Sequence, residues 1–171
     1  MVDSLAASLG QGLLLYLCVR EKNKGRSLEE VRDYALATRD HICHWFTVDD
    51  LNHLKRGGRI SAATAVMGTM LSIKPILHVD NEGHLVSVGK VRGRKASIQA
   101  LAEKVGELAR GYDNPVMFIS HGDCPEDAQY LADLLKQRYG VKEVYINYVG
   151  AVIGSHSGPG TLALFFLGDH R

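Results

Sequence analysis

The apolar positions of this chain fall into short blocks with two different spacings, and the spacing of each block predicts an element. Residues 6 to 22 carry an apolar run, Leu13 to Val19, closed by the polar turn "EKNKG", and read as a buried helix. A second helix starts at Ser27, where Ser27 and Glu30 have the spacing of a capping box and Leu28, Val31, Ala35 and Ile42 form the apolar face. "CHWFTV" is a short strand. Thr47 and Asp50 repeat the capping pattern, so "VDDLNHLKRGG" is a short helix ended by Gly57 and Gly58. "RISAATAVMGTML" follows as a small-residue helix. From Ser72 the pattern changes: "IKPILHVD", a "NEG" turn and "HLVSVGKVR" alternate as a hairpin does. Residues 94 to 110 form a helix, "PVMFISHG" a strand, 125 to 138 a helix, and "KEVYINYV" and "TLALFFLG" two strands. The expected fold class is α/β: a mixed β-sheet layered with helices and preceded by two N-terminal helices.

Composition narrows the function classes. The chain has 171 residues, 46% of them hydrophobic and 23% charged, enough to bury a real core. Lys and Arg number 20 against 19 for Asp and Glu, so no net field draws it to nucleic acid or to an anionic membrane. Cys18, Cys43 and Cys124 are widely spaced and odd in number, which argues against a disulfide framework and a zinc ribbon, and fits a reducing cytoplasm. The N-terminal apolar run lacks the basic segment of a secretory signal and is too short to span a bilayer.

Chemistry gathers in "GAVIGSHSGPG", residues 150 to 160, where one histidine sits among glycines between two strands. Its "GSHSG" has the outline of a nucleophile elbow, but the centre is His156 rather than Ser, so a hydrolase nucleophile is missing. Anion recognition fits better: backbone N–H groups around Gly154, hydroxyls of Ser155 and Ser157, and the imidazole of His156 suit a carboxylate or a phosphate. In "LKRGGRIS" the glycines place Arg59 and Ser61 before the next helix, where Arg59 binds an anion or ties down a loop. "KVRGRK" is a basic run, either a solvated hairpin end or a docking surface built on Lys90 and Arg92. His41, Cys43 and His44 lie close in sequence without a further ligand, so no metal is expected. "SHGDCPED" is explained by helix initiation at Pro125.

Three stretches occur together and in order: "FTVDDLNHLKRGGRISAATAVMGTMLSIKPIL", "GKVRGRKASIQAL" and "VGAVIGSHSGPGTLALFF". The set resembles the DegV family, bacterial fatty-acid-binding proteins that in several lineages serve as the acyl-carrying subunit of a fatty acid kinase. The resemblance implies the family's C-terminal α/β sandwich lobe over 48–171, with 1–47 as the inter-lobe helical segment and a short strand. It implies a long-chain fatty acid as ligand, no cofactor, a kinase catalytic subunit as partner, and no catalytic residues in this chain. His156 takes the carboxyl head group, with Ser155, Ser157, Gly154 and Arg59 around it. Val66, Met67, Met70, Leu71 and Ile73 line the acyl groove, and Arg92 and Lys90 serve partner docking. The family's T-S-x-P-S motif has no match in the sequence, so the first lobe is expected to be missing. The lobe alone is then expected to hold an acyl chain weakly unless a homodimer rebuilds the enclosure. Two other readings stand beside this one: an enzyme or binding module for a phosphate-bearing small molecule, with Arg59, Arg92 and His156 converging, and an interaction lobe without ligand.

Overall fold

The computed structural model of the chain describes residues 1–61 and 72–171. The small-residue helix expected after Arg59, with Val66, Met67, Met70 and Leu71, lies in its larger part outside the described residues. Six strands form one mixed sheet: β1 (Ile42–Thr47), β2 (Ile73–Val79), β3 (Leu85–Arg92), β4 (Val116–His121), β5 (Glu143–Tyr148) and β6 (Leu162–Leu167), in the order β3-β2-β1-β6-β4-β5. Every pairing is antiparallel except β4 with β5, which are parallel. That parallel pair needs a crossover, and the helix between its strands supplies it. The boundary expected after residue 47 falls at the end of a central strand, because β1 pairs with both β2 and β6. Residues 42–47 are therefore part of the same sheet as the rest.

Among the described residues the helices are α1 (Ser8–Asn23), α2 (Leu28–Thr38), α3 (Leu51–Arg56), α4 (Arg94–Leu108), α5 (Pro125–Tyr139) and α6 (Ala151–Ser157), with a 3-10 turn at Arg39–His41. The capping box at Ser27 forms in full: Ser27 Oγ accepts from the Glu30 N–H, and Glu30 accepts from the Ser27 N–H. At α3 the cap is Asp50 alone, whose carboxylate accepts from the Asn52 N–H. Thr47 is instead the last residue of β1, paired with Leu162, so the sheet ladder takes the residue that the capping pattern offered. The end of α3 is a Schellman closure: Arg59 N–H donates to Leu54 O, Gly58 N–H to Lys55 O, and Gly58 has φ of +71°.

Each central strand is buried on both sides, and alternation sends its residues to two cores. Cys43, Trp45, Leu164 and Phe166 meet Ile98, Leu101, Leu131 and Leu135 of α4 and α5. Ile42, Phe46, Ala163 and Phe165 face the other way, toward Leu13 and Leu14 of α1 and Leu51 and Leu54 of α3. Two amphipathic fifteen-residue helices cover the first face. The second is roofed by α1 and the two short helices α3 and α6, and there a cavity remains. Among the described residues no helix is long and apolar enough to cross a membrane.

Candidate functional site

The cavity measures about 260 Å³ and lies over the β1, β4 and β6 surface, beneath α3 and α6. Most of its wall is apolar: Phe46, Leu54, Val79, Leu85, Ile153 and Phe165 are among the lining residues. Its polar members are Ser8, His44, Arg59, Ser120, His156, Ser157 and Thr161, and no Asp or Glu joins them among the described residues. An adjoining depression of about 340 Å³ shares Ala7, Val79, Gly83 and Leu85 with it and runs on to Asp3, Glu82 and Arg171.

His156 arrives there by a route that differs from expectation. Residues 151–157 are helical, whereas a connection rich in free backbone donors was expected. The helix consumes those donors: Gly154 N–H donates to Gly150 O and Gly158 N–H to Gly154 O, while Gly160 N–H donates to Gly122 O. Anion binding at this segment therefore rests on side chains. Ser157 is buried at the cavity wall, its hydroxyl donating to Ile153 O. Ser155 is exposed and donates to Val152 O, and neither Ser155 nor Gly154 lines the cavity. A helical turn points residue 155 away from the wall that 153, 156 and 157 face.

The glycines of the stretch have a steric purpose. Gly158 and Gly160 both take positive φ, +78° and +75°, which a β-carbon disfavours. A Cβ at Gly158 would lie 2.5 Å from the His53 ring, and one at Gly160 would collide with the Asp49 carboxylate. Gly122 packs its backbone on the same loop, where a Cβ would lie 2.7 Å from Gly158 O. The loop thus closes tightly against the ends of β1 and β4.

Arg59 lines the cavity with an exposed side chain whose guanidinium donates to Gly57 O. Arg92 and Lys90 do not: both are exposed on edge strand β3, where Arg92 pairs with Ile73 and Lys90 with Pro75. The convergence of Arg59, Arg92 and His156 on one polar pocket is absent, because Arg92 ends β3 while it is the other end of that strand, Leu85, that lines the cavity. Ile73 is half-buried and also lies outside the lining set.

Ser8, Ser120 and His44 also line the cavity, and of these only His44 was weighed in the sequence, as a metal ligand. Ser8, held at φ +51° at the head of α1, donates its hydroxyl to Ser120 Oγ at 3.1 Å across the wall. His44 is almost fully buried on β1, its ring edge-on to Phe165, and its Nδ1–H donates to Ile42 O at 2.7 Å. Burial, reinforced by the positive charge of Arg171, pushes its pKa down to about 4. The carbonyl can only accept, so neutral His44 carries its proton on Nδ1. His41 and Cys43 face elsewhere: His41 Nδ1 meets Gly168 O and Tyr112 Oη, and the Cys43 thiol donates to His170 O. His41 ends the turn before β1, and Cys43 and His44 lie on opposite faces of that strand.

The family model described as an uncharacterised protein of the DegV family matches residues 1–169. A DegV domain-containing protein of Clostridium perfringens is 47% identical over 171 residues, which is 100% of this chain and 59% of the relative. Protein DegV of Bacillus subtilis is 36% identical over 163 residues, 95% of this chain and 58% of that protein. The chain therefore spans about three fifths of the curated relatives it matches. Among solved structures, a fatty acid binding DegV family protein of Streptococcus agalactiae superposes with a TM-score of 0.83 at 31% identity, over 99% of this chain and 60% of that one. The Fatty Acid Kinase (Fak) B3 protein of Streptococcus pneumoniae, loaded with linoleic acid, shares the fold with a TM-score of 0.88 at 21% identity, over 98% and 59%. With the family model matched nearly end to end and relatives 47% and 36% identical over almost the whole chain, the chain belongs to the DegV family.

Proposed function

We propose that this chain binds a long-chain fatty acid in the cavity, with the carboxylate at His156 and Arg59 and the acyl chain along the Phe46, Leu54, Phe165 and Val79 wall. The observation that carries the reading is the lining itself. An apolar enclosure with one guanidinium, two imidazoles and, among the described residues, no carboxylate suits an amphiphilic monoanion. Each methylene moved from water into such a wall contributes about 0.8 kcal/mol. The fatty acid binding DegV protein of Streptococcus agalactiae supports the same ligand class. Ser157 and Thr161 already spend their hydroxyl protons on Ile153 O and Gly158 O, so they enter the head-group site as acceptors or spacers rather than donors.

The chain itself supplies orientation and no catalytic group. Its proposed partner is a kinase catalytic subunit that phosphorylates the bound carboxyl, docking at the exposed cations Lys90 and Arg92. In the isolated chain a homodimer covers the cavity mouth, where the lining residue Val152 stands 73% exposed. The three cysteines are free, which suits a cytoplasmic location.

The test is titration of oleic acid, labelled with carbon-13 at its carboxyl, into the parent chain and into His156→Ala. A hydrogen bond to a charged group is worth about 1.5–3 kcal/mol, so the variant is expected to bind about tenfold more weakly or worse. The carboxyl resonance should also lose its bound-state shift. Equal affinity and an equal shift in the variant would remove His156 from the head-group site.

A further inference from the structure

Two glycines that close short helices each hold an imidazole from the opposite helix. Gly57 caps the C-terminus of α3, and a Cβ there would collide with Nδ1 of His156 while lying 3.2 Å from its Cγ. Gly158 caps the C-terminus of α6, and a Cβ there would lie 2.5 to 2.9 Å from three atoms of the His53 ring. So α3 sends His53 onto the end of α6, and α6 sends His156 onto the end of α3. From this reciprocal packing we infer that Gly57 and His53 are positioning residues, a clasp that fixes where the His156 imidazole points.

The neighbouring glycine shows why Gly57 is singled out. Gly58 has φ of +71° and open space where its Cβ would be, so it is glycine for its backbone. Gly57 has φ of −76° and ψ of −3°, a conformation any residue adopts. Only the imbedded ring of His156 demands that it lack a side chain. His53 is itself oriented: Arg56 Nη2 lies 3.0 Å from its Nδ1, and because a guanidinium only donates, Nδ1 accepts and neutral His53 carries its proton on Nε2. Arg59 enters the same arrangement, since its guanidinium donates to the carbonyl of Gly57. Two of the cavity's basic groups, the imidazole of His156 and the guanidinium of Arg59, are thereby tied to one residue, the imidazole by contact and the guanidinium by hydrogen bond. The short length of α6 makes the clasp necessary, because seven residues from Ala151 to Ser157 have too few helical hydrogen bonds to hold a side chain in place unaided.

The functional part of this inference rests on His156 being the head-group residue. The geometric part does not, and the experiment separates them. Proton–carbon NMR of the ligand-free chain resolves the imidazole Cε1–H of His156, assigned by its loss in His156→Ala. In Gly57→Ala that cross-peak is expected to move, because the added methyl takes the space of Nδ1. Titration with carboxyl-labelled oleic acid then gives the second readout. Gly57→Ala is expected to weaken binding about fivefold or more, on the scale of one displaced charge-assisted hydrogen bond, and to add nothing in the His156→Ala background. An unmoved cross-peak overturns the clasp. A loss of affinity equal in both backgrounds overturns its action through His156. If His156→Ala binds oleic acid as the parent does, the head-group reading fails while the cross-peak still decides the geometry. Should Gly57→Ala fail to fold, His53→Ala reads the clasp from the other side: the His156 cross-peak is expected to move there too, and its constancy would overturn the inference.

Discussion

Lowering the pH from 6.5 to about 4 is expected to remove about 3 kcal/mol of folding stability through His44 alone. The ring is 3% exposed and lies on the central strand β1, and burial is the first cause of its depressed pKa. The charge of Arg171 depresses it further, while the Ile42 carbonyl, accepting from Nδ1, opposes the shift. The unfolded chain takes a proton near pH 6.5, whereas the folded chain resists until about pH 4. Between those values the unfolded state binds more protons, so stability rises with pH. The contribution is complete above pH 6.5, declines as the pH falls, and is gone near pH 4. His78, whose pKa burial also lowers, acts in the same direction. Asp80 and Glu21 have lowered pKa values and matter only toward the acid end of the range. Urea unfolding of the parent chain and of His44→Asn, at several pH values from 7 to 4, isolates the imidazole. Asn keeps a donor for Ile42 O and does not titrate, so its curve should be flatter by the stated amount. Parallel curves would mean that the native chain accommodates a charged His44.

The same residue marks where sequence patterns stop being informative. Most of the described elements were legible because their signals are local. Ser27 with Glu30, Gly57 with Gly58, Pro125 at a helix start and the "NEG" turn each satisfy a backbone need within a few residues. "TLALFFLG" reads as a strand, and β6 is that strand, between β1 and β4. His44 gave no such signal. Its importance comes from what lands on it, a helix some thirty residues earlier, and no spacing rule encodes that contact. His156 and Arg59 were legible as polar residues next to glycines, and both line the cavity. Arg92 looked equivalent in sequence but ends edge strand β3, whose other end, Leu85, is the part that lines the cavity.

The helix α6 was illegible for an energetic reason. "AVIGSHS" contains Gly154 and two serines, which are weak helix formers, and its flanks are glycines. Local propensity favours a loop. The helix persists because Ile153, His156 and Ser157 face the cavity and α3 abuts its end, so tertiary contact overrides propensity. In that setting the glycine-rich composition stops being a sign of backbone anion donors. It becomes a record of close approaches by His53, Asp49 and Gly122.

Gly10→Val is expected to destabilise the chain by about 3 kcal/mol, against the direction that helix propensity predicts. Gly10 is a buried residue of α1, and a Cβ there would lie 2.8 Å from Cδ2 and 2.9 Å from Cε1 of His44, and closer still to Nε2. The imidazole has no room to retreat. Its Nδ1–H is bonded to Ile42 O, its ring makes a T-shaped contact with Phe165, and its strand is paired on both sides with β2 and β6. The helix must therefore lift, and it carries Leu13 and Leu14, which are 1% and 4% exposed, away from the sheet. Full burial of one such side chain is worth about 1.5–3 kcal/mol, so even a partial lift reaches the expected loss. Gly12 on the same helix provides the contrast, because its Cβ would lie 3.2 Å from the flexible end of Leu9. Gly12→Ala is expected to be neutral or to stabilise by up to about 1 kcal/mol. Urea midpoints of the two variants measure the difference directly. A Gly10→Val chain within about 1 kcal/mol of the parent would mean that α1 does not rest on His44. A further variant with His44→Ala beside Gly10→Val should recover part of the loss, because the valine side chain then occupies the space the ring has left.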